Sequence, residues 1–486
     1  METKRIIVVG GGIAGLAAAY YSQKQARELE VPLHLTVLER EAIWGGKITT
    51  ERVDGFVVEG GPDTFLATKP WGVALCRELG LESHLQGTNP DQKNTYILHH
   101  GRLKRLPDGL TMMVPTQFGP MVKTNLLSWP QKARMGLDFF LPPAPLNGDE
   151  SLGAFVSRRL GRAAYENLIE PLMSGIYAGD GDQLSLGATF PYLRDLEIKH
   201  GGLVRGALAA HQQMAASSKK SSTSRSAFLT PTTGLAEIIE SLVERLRYAG
   251  AELKNGLTVN SIARDRQVFH LQLDNGEMLT ADGIILATPA FVAGELLTDL
   301  DIDLASDLKG IEYVSTATVS MAYPNSDLPH LLDGYGYVIP RREGHKALAC
   351  TWTSTKFPHR APDGYALLRV FVGRAGQETK ISWDETRLLE LAKDELRQTL
   401  GIEAEPKLWR VFIWERAMPQ YNLGHPERLE RIDNALQKWP GLALAGNGYR
   451  GIGIPDCIHS GDLAAQRIIE TLARPEKLQP SLSPTE

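Results

Sequence analysis

The sequence predicts an α/β protein of several domains, with α+β character outside its first sheet. Three observations predict this fold class. The chain has 486 residues, and at ~150 residues per domain this length favours about three domains. An apolar run at residues 5–9, a glycine turn, an alanine-rich helical pattern and a second apolar run at residues 33–38 form a βαβ unit. Between residues 300 and 412, strand-like runs alternate with one clear helix, which is typical of an antiparallel-sheet domain.

Composition narrows the class of protein. The 52 basic and 57 acidic residues give a net charge of −5, so we expect no nucleic-acid partner, because nucleic-acid-binding domains typically have a pI above ~9. The cysteines Cys76, Cys350 and Cys457 are far apart and predict neither disulfides nor a thiolate metal site. We also expect no signal peptide, and no apolar stretch reaches 18 residues. A cytoplasmic protein is therefore expected, with peripheral membrane contact left open.

The order of the elements divides the chain into three units. A buried-strand pattern at 283–288, ended by Pro289, is expected to return to the first sheet, and residues 442–445 predict a further short strand. The predicted units are a discontinuous Rossmann-like domain (1–85, 228–297 and 413–473), a mainly helical insertion that is a candidate for membrane contact (86–227), and a substrate-binding domain rich in antiparallel strands (298–412). Residues 217–226 predict a mobile loop, and 474–486 a disordered tail.

The glycine turn after the first strand carries a dinucleotide-binding pattern. Gly10-x-Gly12-x-x-Gly15 lies between a strand and a helix, where glycines permit a tight turn and close approach of the backbone to a pyrophosphate. The helix N-terminus supplies free N–H donors for the phosphates. Gly11, Ile13 and Ala14 are therefore also candidate cofactor contacts. Glu39 ends the second strand, where a carboxylate can accept hydrogen bonds from ribose hydroxyls. NAD and FAD both fit this pattern.

Two further glycine doublets favour FAD. They occur in Trp44-Gly45-Gly46-Lys47 and in Glu59-Gly60-Gly61-Pro62-Asp63, and an NAD domain has no obvious need for either. With them the sequence resembles the flavin oxidases that include amine oxidases and protoporphyrinogen oxidases. The resemblance implies that the first doublet lies along the diphosphate and ribityl chain. The cofactor contacts that it implies here are Arg40, Gly46, Lys47, Gly61, Pro62, Asp63, Thr64, Val259 and Trp414.

A third glycine-rich turn lies near the C-terminal end. Residues 446–456 lack side-chain bulk before a helix, so the isoalloxazine ring could rest against their backbone while the helix N-terminus favours negative charge on the reduced ring. The candidate ring contacts are Gly446, Gly451, Ile452, Gly453 and Ile454. Cys457 does not match the attachment motif of covalent amine oxidases, so the FAD is expected to be non-covalent.

A string at residues 170–180 resembles the substrate-chamber segment of porphyrinogen oxidases. The resemblance gives Gly175, Ile176 and Tyr177 as candidate chamber walls and Lys69 as a candidate substrate contact. Ser174 stands where mitochondrial relatives carry arginine. Together with Asp63 and Ile176, it looks more like the coproporphyrinogen III oxidases of monoderm bacteria. Lys104, Arg105, Lys123 and Arg158 are further cations available for four propionates.

The resemblance implies an oxidase of haem biosynthesis that removes six electrons from coproporphyrinogen III with O2 as acceptor, releasing H2O2. The flavin carries the chemistry, so no catalytic residue is assigned, and no motif predicts a metal site. Protoporphyrinogen IX is the alternative substrate. A flavin amine oxidase, a carotenoid-type desaturase and a non-enzymatic binding protein like the Rab GDP-dissociation inhibitors are further alternatives. Product hand-off to a ferrochelatase and a monomeric or homodimeric state are left open.

Overall fold

A computed structural model describes residues 2–111, 114–115, 117–145, 148–209, 226–330 and 332–473. The predicted loop at 217–226, apart from Ser226, and the predicted tail at 474–486 lie outside the described residues. Within them the chain forms one parallel sheet, several antiparallel or mixed sheets and a group of helices. The predicted mixed α/β multidomain fold class is confirmed.

The parallel sheet joins three distant parts of the chain. Its five strands, in spatial order, are Glu252–Asn255, Leu33–Glu39, Lys4–Val9, Gly283–Leu286 and Leu442–Leu444. Ile6 and Val8 face a core shared with three helices, whereas Ile7 and Val9 face a second core on the other side. Burial on both faces explains the apolar runs of the central strands, residues 6–9 and Gly283–Leu286, whereas the edge strand Glu252–Asn255 is polar and partly exposed. The helices on the first face are Ile13–Glu28, Ala236–Tyr248 and Ile454–Ala473.

On the other face lies an antiparallel sheet of three strands. Its strands are Val259–Asp265, Val268–Leu273 and Met278–Ala281. The sequence predicts a hairpin at Asn275-Gly276, between two alternating runs, and this is confirmed, since the second and third strands pair antiparallel across that turn. The sequence also predicts one strand over residues 251–262, and this prediction is wrong. Gly256, at φ +73°, separates a strand of the parallel sheet from one of the antiparallel sheet.

The largest sheet has seven strands. In spatial order they are Leu408–Pro419, Tyr313–Pro324, Tyr365–Val372, Ala347–Trp352, Gly334–Val338, Asn94–His99 and Arg102–Arg105. The last two come from the segment expected to be helical, and Gly334–Val338 pairs with Asn94–His99 in parallel. The first runs across the predicted boundary at residue 412. The three-unit division itself stays a prediction.

The remaining elements cover these sheets. Small sheets are formed by Thr50–Val53 with Phe56–Glu59, by Phe65–Leu66, Phe228–Pro231 and Leu85–Gly87, and by Leu110–Thr111 with Val114–Pro115. Further α-helices are Pro70–Glu78, Ala290–Leu296, Ile302–Lys309, Thr353–Lys356, Glu385–Leu400 and His425–Leu436.

The helical region between residues 118 and 209 has its own core. Its helices are Phe118–Lys123, Trp129–Gly136, Leu152–Leu160, Arg162–Ala164, Glu170–Tyr177, Leu186–Thr189, Pro191–His200 and residues 203–209, with a π-helical turn at Tyr165–Ile169. Arg159 and Asp138 form a fully buried ion pair of 2.6 Å in this region. Among the described residues, no helix combines the length and apolar character needed to cross a membrane.

Candidate functional site

The first glycine loop cannot carry side chains at two of its positions. Gly10 has φ +110°, and a Cβ added there would lie 2.7 Å from the Ala287 carbonyl oxygen. A Cβ on Gly15 would lie 1.9 Å from the Gly10 oxygen. Beside Gly12, in contrast, the nearest described atom to an added Cβ is the Gly45 oxygen at 3.9 Å. The loop is therefore tightly packed underneath and open above Gly12, as a phosphate cradle requires.

Glu39 lies against this loop. Its carboxylate accepts hydrogen bonds from the backbone N–H groups of Gly11 at 2.6 Å and Glu41 at 2.8 Å. Arg40, by contrast, pairs with the Glu41 carboxylate at 2.8 Å and is exposed. The Glu39 carbonyl accepts from Leu257, which brings the buried Val259 strand to this corner. The structure thus places Glu39 and Val259 near the first loop, while Arg40 faces solvent.

The first glycine doublet, Gly45-Gly46, packs directly on the loop that contains Gly10 and Gly12. The Gly45 N–H donates to the Gly11 oxygen at 2.9 Å, and Gly46 adopts φ +58°. Lys47 follows, with its Nζ donating to the Ala417 carbonyl at 2.5 Å. Burial lowers the pKa of Lys47 to about 8. Lys47 therefore loses its proton more easily than an ordinary lysine, but it remains mainly charged at neutral pH, at a position where the resemblance places the cofactor.

The second glycine doublet, Gly60-Gly61, is hydrogen-bonded to side chains of the seven-stranded sheet. The Gly60 carbonyl accepts from Trp414 Nε1 and Thr318 Oγ1, both at 2.9 Å. Arg369 Nη2 donates to the carbonyls of Gly60 and Gly61. Side chains of the sheet therefore fix the backbone that enters the predicted ring site.

Asp63 and its neighbours Pro62 and Thr64 continue this segment. Asp63 Oδ2 lies 3.2 Å from Lys356 Nζ, and its Oδ1 accepts from Thr64 Oγ1 at 3.1 Å. Burial alone would raise the pKa of Asp63, but the charges of Lys356 and Arg369 outweigh it and hold the pKa at about 2. Asp63 is therefore a structural carboxylate, ionised at neutral pH.

The late glycine turn leaves space beside its first residue. Gly446 has φ +123°, and an added Cβ would have no described atom within 4 Å. Tyr421 braces the turn, because its hydroxyl donates to the Asn447 carbonyl at 2.6 Å and accepts from the Gly451 N–H at 3.0 Å. Ile452 is partly buried and Ile454 is buried.

Asp456 occupies the first turn of the last helix. It accepts from the Gly453 N–H at 3.2 Å, and both of its oxygens lie 2.6 Å from Lys69 Nζ. Lys69 was predicted to contact substrate, and here it has a carboxylate partner 387 positions away. The helix end expected to favour negative charge therefore already carries a neutralised ion pair.

The predicted chamber segment divides into two faces. Gly175 and Ile176 are exposed, and Ile176 keeps 45% of its surface although it is apolar. Tyr177 is buried, with its ring against Phe190 and Tyr421. Gly175 and Ile176 are thus placed to border open space, whereas Tyr177 supports them from the core. Their contact with substrate stays a prediction.

Two of the other cations that the sequence suggests as propionate partners form ion pairs within the protein. Arg158 binds Glu150 and Glu197 at 3.0 and 2.7 Å, and Arg105 pairs with Asp108 at 3.3 Å. These two arginines are occupied by structural ion pairs. Their contact with propionates stays a prediction, and it would require both arginines to exchange or share these carboxylate partners.

Sequence reasoning missed three groups beside the glycine segments. Thr288 Oγ1 is buried without a hydrogen-bond partner among the described residues, next to the position where Gly10 packs. Arg369 is buried with Nε and Nη1 likewise unpaired. Asp456 was named as the end of the glycine turn but not as a partner for Lys69. A Thr-Pro pair after a buried strand was the available signal for Thr288; nothing local marked Arg369.

These features fit a flavin dinucleotide. We call the site formed by the Gly10–Gly15 loop, the two glycine doublets and the turn at 446–453 the cradle. Open space lies beside Gly12 at one end of the cradle and beside Gly446 at the other. Between these ends, Thr288 Oγ1 is a buried polar atom without a hydrogen-bond partner among the described residues. Cys457 is buried, and burial raises the pKa of its thiol to about 12, so a reactive thiolate is not favoured there. No group of three or more metal-ligating side chains was found among the described residues.

Comparison with known proteins gives the family. The model of the flavin containing amine oxidoreductase family matches residues 13–469. The chain is 38% identical over 462 residues to a coproporphyrinogen III oxidase of Bacillus subtilis, covering 95% of this chain and 97% of the relative. It is 30% identical to a chloroplastic protoporphyrinogen oxidase of Nicotiana tabacum, covering 96% and 86%.

Among solved structures, a protein of Exiguobacterium sp. 255-15, provisionally described as a protoporphyrinogen oxidase, superposes with a TM-score of 0.84. It is 34% identical, with 97% of this chain and 99% of the other covered. Both the sequence and the shape of this chain therefore match over nearly their whole length. The chain belongs to the flavin containing amine oxidoreductase family.

Proposed function

We propose that this protein is an FAD-dependent oxidase that converts coproporphyrinogen III to coproporphyrin III, with O2 as acceptor and H2O2 as product. The observation that carries the proposal is the meeting of three glycine segments at one cradle, in a chain similar over its full length to a coproporphyrinogen III oxidase. Family membership supports a flavin; FAD in particular, bound without a covalent link, is part of the proposal.

Different residues of the cradle would bind different parts of the cofactor. Glu39 would accept from the ribose hydroxyls, the open side of Gly12 would take the diphosphate, and the backbone of 446–453 would lie along the ring. Bound there, the flavin would accept hydride equivalents from a meso carbon of the substrate and pass the electrons to O2.

The protein's part in the reaction is placement rather than acid–base chemistry. Lys47, Trp414 and Arg369 fix backbone carbonyls around the predicted ring position. Gly175 and Ile176 offer an apolar border on which a substrate plane could lie, which holds the reacting atoms in place and excludes water. We therefore still assign no catalytic acid or base.

The choice of coproporphyrinogen III rests on the curated relatives and on charge. Its four propionates need more cationic partners than the two of protoporphyrinogen IX, and each charge-assisted bond contributes ~1.5–3 kcal/mol. Lys69 is 40% exposed, and both Asp456 oxygens lie 2.6 Å from its Nζ, so one of its three donors is left for a carboxylate of the substrate. Protoporphyrinogen IX stays the alternative substrate.

The deciding experiment compares kcat/KM for the two porphyrinogens in air, following porphyrin fluorescence in the purified FAD-loaded protein. We expect the ratio to favour coproporphyrinogen III, and H2O2 to form in proportion to porphyrin. A ratio favouring protoporphyrinogen IX would replace the substrate in the proposal. Turnover of polyamines or aromatic amines in place of both would overturn it.

A cytoplasmic location with peripheral membrane contact is part of the same proposal. Leu137, Phe139 and Phe140 are exposed to 50%, 40% and 78%, and Arg205 lies 4.4 Å from the Phe139 ring. Such a patch with a nearby cation suits an anionic membrane surface. Co-sedimentation with anionic vesicles should fall on Phe140→Ser, and equal sedimentation would remove this patch from the proposal. Hand-off to a ferrochelatase and a monomeric or homodimeric state also stay hypotheses.

A further inference from the structure

A second cavity lies away from the cradle, between the Asn94–His99 hairpin and the helical region. It has a volume of about 470 Å³, within the range of small-molecule sites. Its lining includes His99, Leu126, Trp129, Lys132, Asn167 and Arg342. None of the residues that line it belongs to the predicted cofactor or substrate contacts. The cavity therefore needs an explanation of its own.

The lining of this cavity is cationic. Arg342 and Lys132 contribute positive charge, and no described lining residue is acidic. The nearest carboxylate, Glu343, accepts from the backbone N–H groups of His100 and Gly101 at 3.1 and 3.3 Å, and lies 3.8 Å from Arg342 Nε. Because this carboxylate is shared with two backbone N–H groups and lies at the long limit of an ion pair, it offsets the charge of Arg342 only in part, and a cavity with excess positive charge attracts an anion.

Arg342 is held in position by the hairpin. Its Nη2 donates to His99 Nδ1 at 2.6 Å, which requires that nitrogen to be unprotonated. Burial and the neighbouring Arg342 lower the pKa of His99, in agreement with a neutral ring. The guanidinium is thereby fixed, with Nη1 left for a ligand.

Asn167 supplies a second, independent observation. Its side chain is 98% buried in the π-helical turn Tyr165–Ile169, yet its Oδ1 has no hydrogen-bond partner among the described residues. Buried polar groups without partners are rare, and π-helical turns are frequent at functional sites. Because Asn167 lines the cavity, a ligand with an N–H or O–H donor would satisfy it.

The apolar part of the lining indicates what else the ligand carries. Leu126 is buried in the cavity wall, and Trp129 is 69% exposed at its rim with Lys132 Nζ 4.7 Å from the ring centroid. A flat ring could lie along this edge and gain both stacking and apolar contact. The ligand is thus an anion with a ring rather than a bare inorganic ion.

We propose that this cavity binds a small aromatic anion that also carries a hydrogen-bond donor, a chemistry shared by nucleoside monophosphates and by carboxylated pyrrole pigments. The anionic group would pair with Arg342 and Lys132, the donor would reach Asn167, and the ring would lie against Trp129. The site is independent of the proposed oxidase function, because it uses none of the residues assigned to that function.

Titration calorimetry on the FAD-loaded protein tests this with three probes: AMP, coproporphyrin III and inorganic phosphate. We expect AMP or coproporphyrin III to bind and phosphate to bind at least tenfold more weakly. Which of the first two binds better identifies the source of the ligand. No binding of either at millimolar concentration, or phosphate binding as tightly as both, overturns the proposal.

Variants assign the binding to this cavity. Arg342→Met should weaken the bound probe at least tenfold, or ~1.4 kcal/mol. Arg102→Met removes one positive charge from an exposed position on the hairpin formed by Asn94–His99 and Arg102–Arg105, and it should leave binding of the probe unchanged. Asn167→Ala should also weaken binding, with thermal unfolding measured to separate a folding defect. Binding that is unaffected by Arg342→Met lies elsewhere, for instance in the cofactor cradle, and overturns the assignment.

Discussion

Replacing Glu39 by alanine tests the cradle most directly. An ionised carboxylate offers about four acceptor positions, and the Gly11 and Glu41 N–H groups use two of them. The remaining two can accept from the ribose hydroxyls. Each bond to a charged acceptor contributes ~1.5–3 kcal/mol, so losing even one of them weakens FAD binding by roughly 10- to 150-fold.

The assay is the ratio of flavin to protein absorbance after purification and dialysis, with Kd measured by titrating FAD into the apoprotein. Glu39→Gln keeps one carbonyl acceptor and should lose less. Glu41→Ala is the matched control, because this side chain is exposed and pairs with Arg40 while its backbone N–H is retained. If Glu39→Ala binds FAD as the parent does, with unchanged thermal unfolding, the assignment of the ribose site is wrong.

Three further changes probe other parts of the structure. Gly446→Ala should add about 1–3 kcal/mol of backbone strain at φ +123° and place a methyl group in the predicted ring site, so FAD occupancy, measured by flavin absorbance, should fall. Full occupancy would contradict a ring beside this residue. Asp63 has a pKa of about 2 against an ordinary 3.8, so it stabilises the fold above pH ~4 and this stabilisation of about 2 kcal/mol is lost as the pH falls towards 2. With Lys356→Met, the free energy of unfolding in urea should depend less on pH between 4 and 2 than it does in the parent. The same pH dependence in both proteins would show that the Asp63–Lys356 pair does not cause it. Arg360→Met leaves Glu59 buried without its partner at 2.6 Å and should lower the free energy of unfolding in denaturant by about 3–5 kcal/mol. A loss below 1 kcal/mol would refute a stabilising role of this pair.

The parts of the fold that sequence predicts well are local. The first βαβ unit could be predicted because its strands, glycine loop and helix follow one another within 39 residues. Burial on both faces gave its strands an unbroken apolar pattern, and Glu39 followed from its position at a strand end. The late glycine turn could likewise be predicted from its sequence. The helix after it begins at Ile454, two residues before Asp456, where the sequence predicts its start.

What could not be predicted depends on contacts between distant residues. The strands Asn94–His99 and Arg102–Arg105 are short and partly polar, so no alternation marked them. Parallel pairing of Asn94–His99 with a segment 240 residues later sets their place, and Arg102–Arg105 forms the edge of the sheet beside it. Arg369 lies on a strand that reads as ordinary sheet, and its bonds to Gly60 and Gly61 span more than 300 positions. Pairing of Lys69 with Asp456 is equally remote in sequence.

The same long-range closure makes the cradle a property of the whole chain. The Gly10 loop packs on Ala287, and the helix Ile13–Glu28 packs on the last helix so closely that a Cβ on Gly461 would lie 2.4 Å from the Ala14 oxygen. That helix contact sets the glycine turn at 446–453 above the first loop, because the turn leads directly into the last helix. Ribose and ring contacts are therefore brought together by backbone packing between the two ends of the chain. Binding that spans both ends stabilises their association, so FAD should protect the first and last helices from amide exchange together. Protection confined to the first βαβ unit would mean that the late turn takes no part in binding.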